Sequence, residues 1–325
     1  MEKRIGLIRS EFNSRVFVPS PEFPTVEQQT AQGFSPHLEG SMIDCYEEEV
    51  TVADGHEIKL DISLQQYPDR HPTMLIVPGL LGSGNSSEVT RLGIAALAEG
   101  GFNIARMSQR SRRTYHPGLT EDLNAVISYL ANTDLNKIYL VGFSLGGNMV
   151  LKAAGENSDN LKKYVLGVAA VSPVVDLAAS AEYIKKSPFE KHILAALKSS
   201  TFKRMKAHPE DWGSVARLKE TSSIEEWDLE YQLGPERWGF TSLRQYYREA
   251  SAAPLVGQIK VPTLLIHSED DPIAPVRPLF NTEVVYNPNI IHMITQTGGH
   301  LGFVDENNEH WANNQVINFG RLVAS

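Results

Sequence analysis

Residues 137–155 read KIYLVGFSLGGNMVLKAAG, and this stretch decides the fold. Six apolar-rich residues run into a serine, and a helix-forming run leaves it. Ser144 therefore sits at a strand-to-helix junction. Gly142 and Gly146 stand two residues to either side, the spacing of a G-x-S-x-G turn that pushes a serine hydroxyl above the edge of a sheet. Glycine is needed there because the neighbouring strand and helix leave no room for a Cβ. An idle turn serine is the alternative, so its surroundings must decide.

Outward from this junction the pattern repeats. TMLIV (73–77), FNIARMS (102–108), YVLGVAAV (164–171), VPTLLIH (261–267) and IIHMIT (290–295) are short buried strands. Helical patterns alternate with them. In LTEDLNAVISYL, Leu119, Leu123, Val126, Ile127 and Leu130 share one face, and Glu121 and Asp122 suit its first turn. EEVTVA and HEIKLDISL alternate around Asp54-Gly55, a hairpin signal. Such alternation predicts a mostly parallel sheet with helices on both faces and antiparallel strands at one edge. The rhythm breaks over 176–252, where helical patterns and Trp212, Trp227, Trp238, Phe189, Tyr231, Phe240, Tyr246 and Tyr247 gather. The expected division is an irregular arm over 1–47, a core over 48–175, an inserted segment over 176–252, and a second part of the core over 253–325.

Composition narrows the function classes. The 325 residues carry a formal net charge of −9, which argues against a nucleic-acid binder. One cysteine, Cys45, rules out an intramolecular disulfide and is expected to be a small apolar filler. No apolar run approaches the ~20 residues that cross a bilayer. A soluble cytoplasmic protein is expected, with peripheral lipid contact left open. There is no clustered metal-ligand spacing, Walker loop or post-strand G-x-G-x-x-G, so no metal or cofactor is expected.

In a sheet of this kind, ligands meet the carboxyl ends of the strands. Four places there carry chemistry. Ser144 follows one strand, and the N–H of Leu145 opens the next helix, facing any oxyanion formed when Ser144 attacks a carbonyl. HSEDDPIAP follows another strand, and Asp271 is preferred over Asp270 as the carboxylate that would orient a histidine. TGGHLGF follows the last strand and presents His300 from a glycine-rich loop, whereas His267 and His292 read as packing residues. PGLLGS follows TMLIV and offers the N–H of Leu80 as a second oxyanion donor. Nucleophile, acid and base thus occur in the order Ser144, Asp271, His300.

The segments EEEVTVADGHEIKLD, PGLLGS, TYHPGLTEDL, VGFSLGGNMVLKAAGE, GFTSLRQYYREASA, VPTLLIHSEDDPIAP and GGHLGF carry a resemblance. From about Glu48 onward the chain resembles the YheT-like branch of the α/β-hydrolase superfamily, related to ABHD1/ABHD3-type proteins. The resemblance implies an eight-stranded sheet, a helical cap inserted after the sixth strand, a Ser144–Asp271–His300 triad and hydrolysis of carboxylic esters. An acyltransferase using the same acyl-enzyme, or a non-catalytic binding protein on the same fold, are the competing readings. His116, in TYHPG, matches a family motif and is expected to be structural. Two departures stand out. Pro78 replaces the histidine usual before the oxyanion glycine, and SQRS (108–111) replaces Asn-x-Arg-Gly, keeping Arg110 but carrying Ser111 for the glycine.

Overall fold

The computed structural model describes residues 16–35, 44–99, 101–110, 114–209, 215–234 and 237–325. Trp212, Ser111 and most of the segment before Asp44 lie outside the described residues.

The eight strands form one sheet. In chain order they are β1 (Tyr46–Thr51), β2 (Glu57–Ser63), β3 (Thr73–Val77), β4 (Asn103–Met107), β5 (Ile138–Phe143), β6 (Val165–Val171), β7 (Thr263–Ser268) and β8 (Ile290–Thr295). Their spatial order is β1-β2-β4-β3-β5-β6-β7-β8. β1 pairs antiparallel with β2, and β2 antiparallel with β4. Every later pairing is parallel. β3, β4, β5 and β7 are buried along their whole length, as strands covered on both faces must be.

Helices cover the two faces. On one side, α3 (Thr120–Ala131) and α4 (Leu145–Glu156) bury Leu123, Val126, Leu130, Met149, Val150 and Leu151 against β-strand side chains such as Leu75, Leu140 and Val168. On the other, α2 (Ser87–Ala98) and α10 (Trp311–Ala324) bury Val89, Leu92, Val316 and Phe319 against Ile76, Val141 and Ile266. The face read from the α3 periodicity, Leu119 through Leu130, is buried.

Between β6 and β7 the described residues form five α-helices: α5 (Leu177–Ile184), α6 (Phe189–Ala207), α7 (Val215–Glu220), α8 (Ile224–Tyr231) and α9 (Leu243–Ala250). They make two small cores of their own. Leu194, Leu197, Met205, Leu218, Trp227 and Tyr231 form one, with Leu80 and Leu81 of the loop after β3 packed against it. Val174, Leu177, Ala181, Tyr246 and Tyr247 belong to the other, which packs on Leu145. The helices thus meet the sheet at the carboxyl ends of its strands.

Two expectations change. The arm is not irregular throughout, because α1 (Val26–Gly33) is a helix with a capping box. Thr25 accepts from the Gln28 N–H while the Gln28 side chain accepts from the Thr25 N–H. Cys45 is exposed, not a buried filler. Its sulfur lies 3.4 Å from Arg106 Nη2, a polar contact at the rim of the sheet.

Candidate active site

The turn after β5 is tight and strained. Ser144 holds φ 53° and ψ −117°, a region L-residues rarely occupy. Strain of this kind costs about 1–3 kcal/mol and persists only where the surroundings impose it. Here they do. A Cβ on Gly142 would lie 2.3 Å from the Gly146 carbonyl oxygen, and one on Gly146 would lie 2.4 Å from the carbonyl oxygens of Val77 and Pro78. The Ser144 N–H donates to Val171 O at 3.0 Å, and Ser144 O accepts from Asn148 and Val174. Asn148, fully buried, donates to Pro117 O and Ala250 O and accepts from the Ala252 N–H. It ties α4 to the end of α9.

His300 Nε2 lies 2.9 Å from Ser144 Oγ, and His300 Nδ1 lies 2.7 Å from Asp271 Oδ2. Asp271 Oδ1 accepts the N–H groups of Ile273 and Ala274, both at 2.8 Å. Asp271 and His300 are each 1% exposed, so the pair is closed to bulk water. Asp270 does a different job: its Oδ1 accepts the Gly299 N–H at 2.9 Å and so shapes the loop that carries His300. Gly299 sits at φ 59°, which glycine adopts without strain.

Leu145 and Leu80 both line the cavity above Ser144, and among the described residues no protein acceptor takes either backbone N–H. The loop that carries Leu80 is held in place. Gln109 Nε2 donates to Gly79 O, the carbonyl of the peptide that ends in the Leu80 N–H. Gly82 N donates to the same oxygen. The loop approaches the turn so closely that a Cβ on Gly79 would lie 3.2 Å from Ser144 Cβ. Pro78, the departure noted above, contributes its carbonyl to this approach and no donor. The cavity itself is about 700 Å³. Its walls come from the Leu80 loop, from α5, α6, α8 and α9, and from Phe34 at the end of α1. Phe189, Trp227, Tyr246 and Tyr247 line it, whereas Tyr231 is packed inside the helical core.

Residues 72–307 match the family described as the alpha/beta hydrolase fold. The chain belongs to that family. Among curated relatives, YheT of Escherichia coli is 28% identical over 91% of this chain and 89% of its own length. The phospholipase ABHD3 of Homo sapiens is 27% identical over 79% of this chain and 66% of its own. The branch is therefore the YheT/ABHD type. The esterase Pf2001 of Pyrococcus furiosus superposes with a TM-score of 0.56 at 16% identity, covering 87% of this chain and 97% of that one, a likeness of fold. The chain is an α/β hydrolase with esterase and lipase relatives.

Two residues set apart by the motifs support this hydrolase from a distance. Arg110 makes a two-pronged ion pair with Asp122, with both contacts at 2.6 Å, and a further one with Asp54 at 2.5 Å. Burial alone would favour loss of its proton, but the two carboxylates more than offset that and hold it charged. His116 is packed edge-on against Trp238 and Phe240, and its Nδ1 accepts the Gly118 N–H. Burial, with the charges of Lys152 and Arg110, pushes its pKa down to about 3, so it is neutral. His267, also buried, puts Nε2 3.0 Å from Ala274 O beside the Asp271 loop. His292 is half-buried on β8. Among the described residues no group of three or more His, Cys, Asp or Glu could hold a metal, and no helix is long and apolar enough to cross a membrane.

Sequence reasoning missed how α1 serves the site. The His300 N–H donates to Thr30 Oγ1, and Phe34 stacks on the His300 ring at 6.0 Å. Gln29 bonds the Val304 backbone in both directions. The readable signal was the T-x-x-Q of Thr25 and Gln28, masked by the prolines around it. Gln109 was quoted within SQRS, but nothing in the motif marked its clamp on Gly79.

Proposed function

We propose that this chain is a serine carboxylic-ester hydrolase acting on short- to medium-chain acyl esters. The observation that carries the reading is the continuous hydrogen-bonded chain Ser144–His300–Asp271 at the mouth of an apolar cavity. His300 Nε2 takes the Ser144 proton as Oγ attacks the ester carbonyl. Asp271, already held by two backbone donors, keeps the Nδ1 proton in place and stabilises the imidazolium. The Leu145 and Leu80 N–H groups are unoccupied donors suited to the oxyanion, and losing one such donor costs about 100- to 1,000-fold in kcat. His300 returns its proton to the leaving alcohol. It then activates water to release the acid from Ser144. The substrate is a small acyl ester. The apolar cavity wall suits a chain of modest length, and the presence of a phospholipase among the relatives is consistent with an acyl-ester bond as the target. Cytoplasmic placement belongs to this proposal and rests on the lack of any disulfide pair.

The test is a panel of p-nitrophenyl esters from acetate to palmitate on purified protein, with Ser144→Ala as control. We expect turnover that peaks at short to medium chain length and falls by more than about 1,000-fold in the variant, whose circular dichroism is unchanged. Equal turnover by the two proteins would sink the reading.

A further inference from the structure

The cavity above Ser144 contains one group that ester hydrolysis does not use. Asp228, on α8, is 7% exposed and lines the cavity wall with Trp227, Tyr246 and Tyr247. Tyr247 donates its hydroxyl to Asp228 Oδ2 at 2.8 Å. The other carboxylate oxygen, Oδ1, has no partner among the described residues. Among the described residues no Lys or Arg lines the cavity. Burial, only partly offset by the Tyr247 hydrogen bond and reinforced by the charge of Glu225, raises the Asp228 pKa to about 7. A carboxyl kept in an apolar cavity at that cost calls for a partner.

Two further polar atoms accompany it. Gln232 is one turn along α8 from Asp228 and also lines the cavity. Its amide nitrogen donates to Tyr115 O at 3.0 Å, which fixes its orientation, and its Oε1 is buried without a partner among the described residues. The Tyr115 hydroxyl is likewise buried without a partner among the described residues; Tyr115 lines the same cavity, but neither this hydroxyl nor Gln232 Oε1 has surface open to it. Tyr246 lines the same cavity, within electrostatic reach of Asp228, Tyr247 and Tyr115. Of these atoms only Asp228 Oδ1 is open to a ligand. An ammonium would give up its hydration shell in an apolar wall for that single acceptor. A carboxylate or phosphate would be repelled by Asp228. A neutral hydroxyl both donates and accepts, and it can bond to Asp228 whether that carboxyl is protonated or not.

We propose that Asp228 is a subsite for a substrate hydroxyl remote from the scissile carbonyl, so that hydroxylated esters are preferred over plain ones. This rests on the reading of Ser144 as the nucleophile. The hydroxyl comes from the acyl chain or from the alcohol, and two arms separate these sources. In one, p-nitrophenyl esters of hexanoic, octanoic and decanoic acid are compared with their ω-hydroxy counterparts. In the other, butyrate esters of linear alcohols are compared with the monobutyrates of the matching diols.

Wild-type enzyme should favour the hydroxylated member of one arm by about 10- to 100-fold in kcat/KM, since a site built around a hydroxyl penalises its absence. Asp228→Leu should bring that ratio close to 1 while leaving p-nitrophenyl acetate turnover within about threefold, because acetate lacks the group in question. Asp228→Asn, which still accepts a hydrogen bond, should restore part of the preference. Ratios near 1 in both arms for wild type, or an unchanged ratio in Asp228→Leu, would overturn the proposal. If no ester is turned over in a Ser144-dependent way, the nucleophile reading has failed instead. Calorimetric binding of the same ester pairs to wild type and Asp228→Leu then reads the preference directly, with equal affinities counting against the subsite.

Discussion

Ser144, Asp271 and His300 lie far apart in the chain, and Ser144 and His300 are held by distant partners such as Val171 and Thr30, yet each lies in the turn or loop that directly follows a strand. That is why they were legible: each ends a strand, and a strand end is a local pattern. The choice between Asp270 and Asp271 was not local. Both are acidic and adjacent. Only the path of the His300 loop puts Asp271 on Nδ1 and Asp270 on the Gly299 N–H. Cys45 was misread because an isolated cysteine carries no pattern. His116 was read as structural, and its surroundings give that role a measurable consequence. Its folded pKa is depressed to about 3 from 6.5, so the unfolded chain binds a proton between these values that the folded chain refuses. The corresponding stability is complete above about pH 6.5 and is lost as pH falls toward 3. Asp228, raised from 3.8 to about 7, works the other way, losing stability as pH rises through that window. The informative quantity is therefore a difference. Denaturant unfolding of His116→Asn should show a shallower loss of stability than wild type between pH 6.5 and 4, and parallel curves would contradict it.

At the scale of elements, the strands and their following helices were readable because burial on both faces leaves near-continuous apolar runs. α1 was not, since a helix of eight residues amid Pro, Ser and Gln has a weak periodic signal and its partner lies some 270 residues away. Its contribution is to hold the His300 loop from behind, through Thr30 and Gln29. Thr30 is completely buried, and Thr30→Val keeps its shape while removing the acceptor for the His300 N–H. A buried N–H left unsatisfied costs about 1–3 kcal/mol. We expect kcat for p-nitrophenyl butyrate to fall about 10-fold with little change in KM, the pattern of a misplaced base rather than a damaged pocket. A rise in KM at constant kcat would assign α1 to substrate binding instead.

Across the whole molecule, the sheet order places β3, β5, β7 and β8 so that their loops meet above one edge, and the helices between β6 and β7 close over them. The sequence showed where the strand rhythm broke but not what the inserted residues touch, because their contacts to Leu80, Leu81 and Leu145 are tertiary. Trp227 shows the coupling. It is buried, donates Nε1–H to Thr201 Oγ1, and lines the cavity from a core that includes Leu80 and Leu81. Replacing a buried tryptophan by alanine costs about 3–5 kcal/mol. Trp227→Ala should lower Tm and shift the ester preference toward longer chains, since the vacated volume opens into the cavity. An unaltered chain-length profile would separate this core from the substrate.

The claim that joins these scales is that Ser144 is the nucleophile, activated by His300 at the mouth of the apolar cavity. Reaction with a fluorophosphonate, followed by peptide mass mapping, tests it directly. The account requires one adduct per chain, on the peptide carrying Ser144, and none in Ser144→Ala or after pre-incubation with a turned-over ester. Absence of labelling in the folded wild-type protein, or an adduct on another serine, would contradict it.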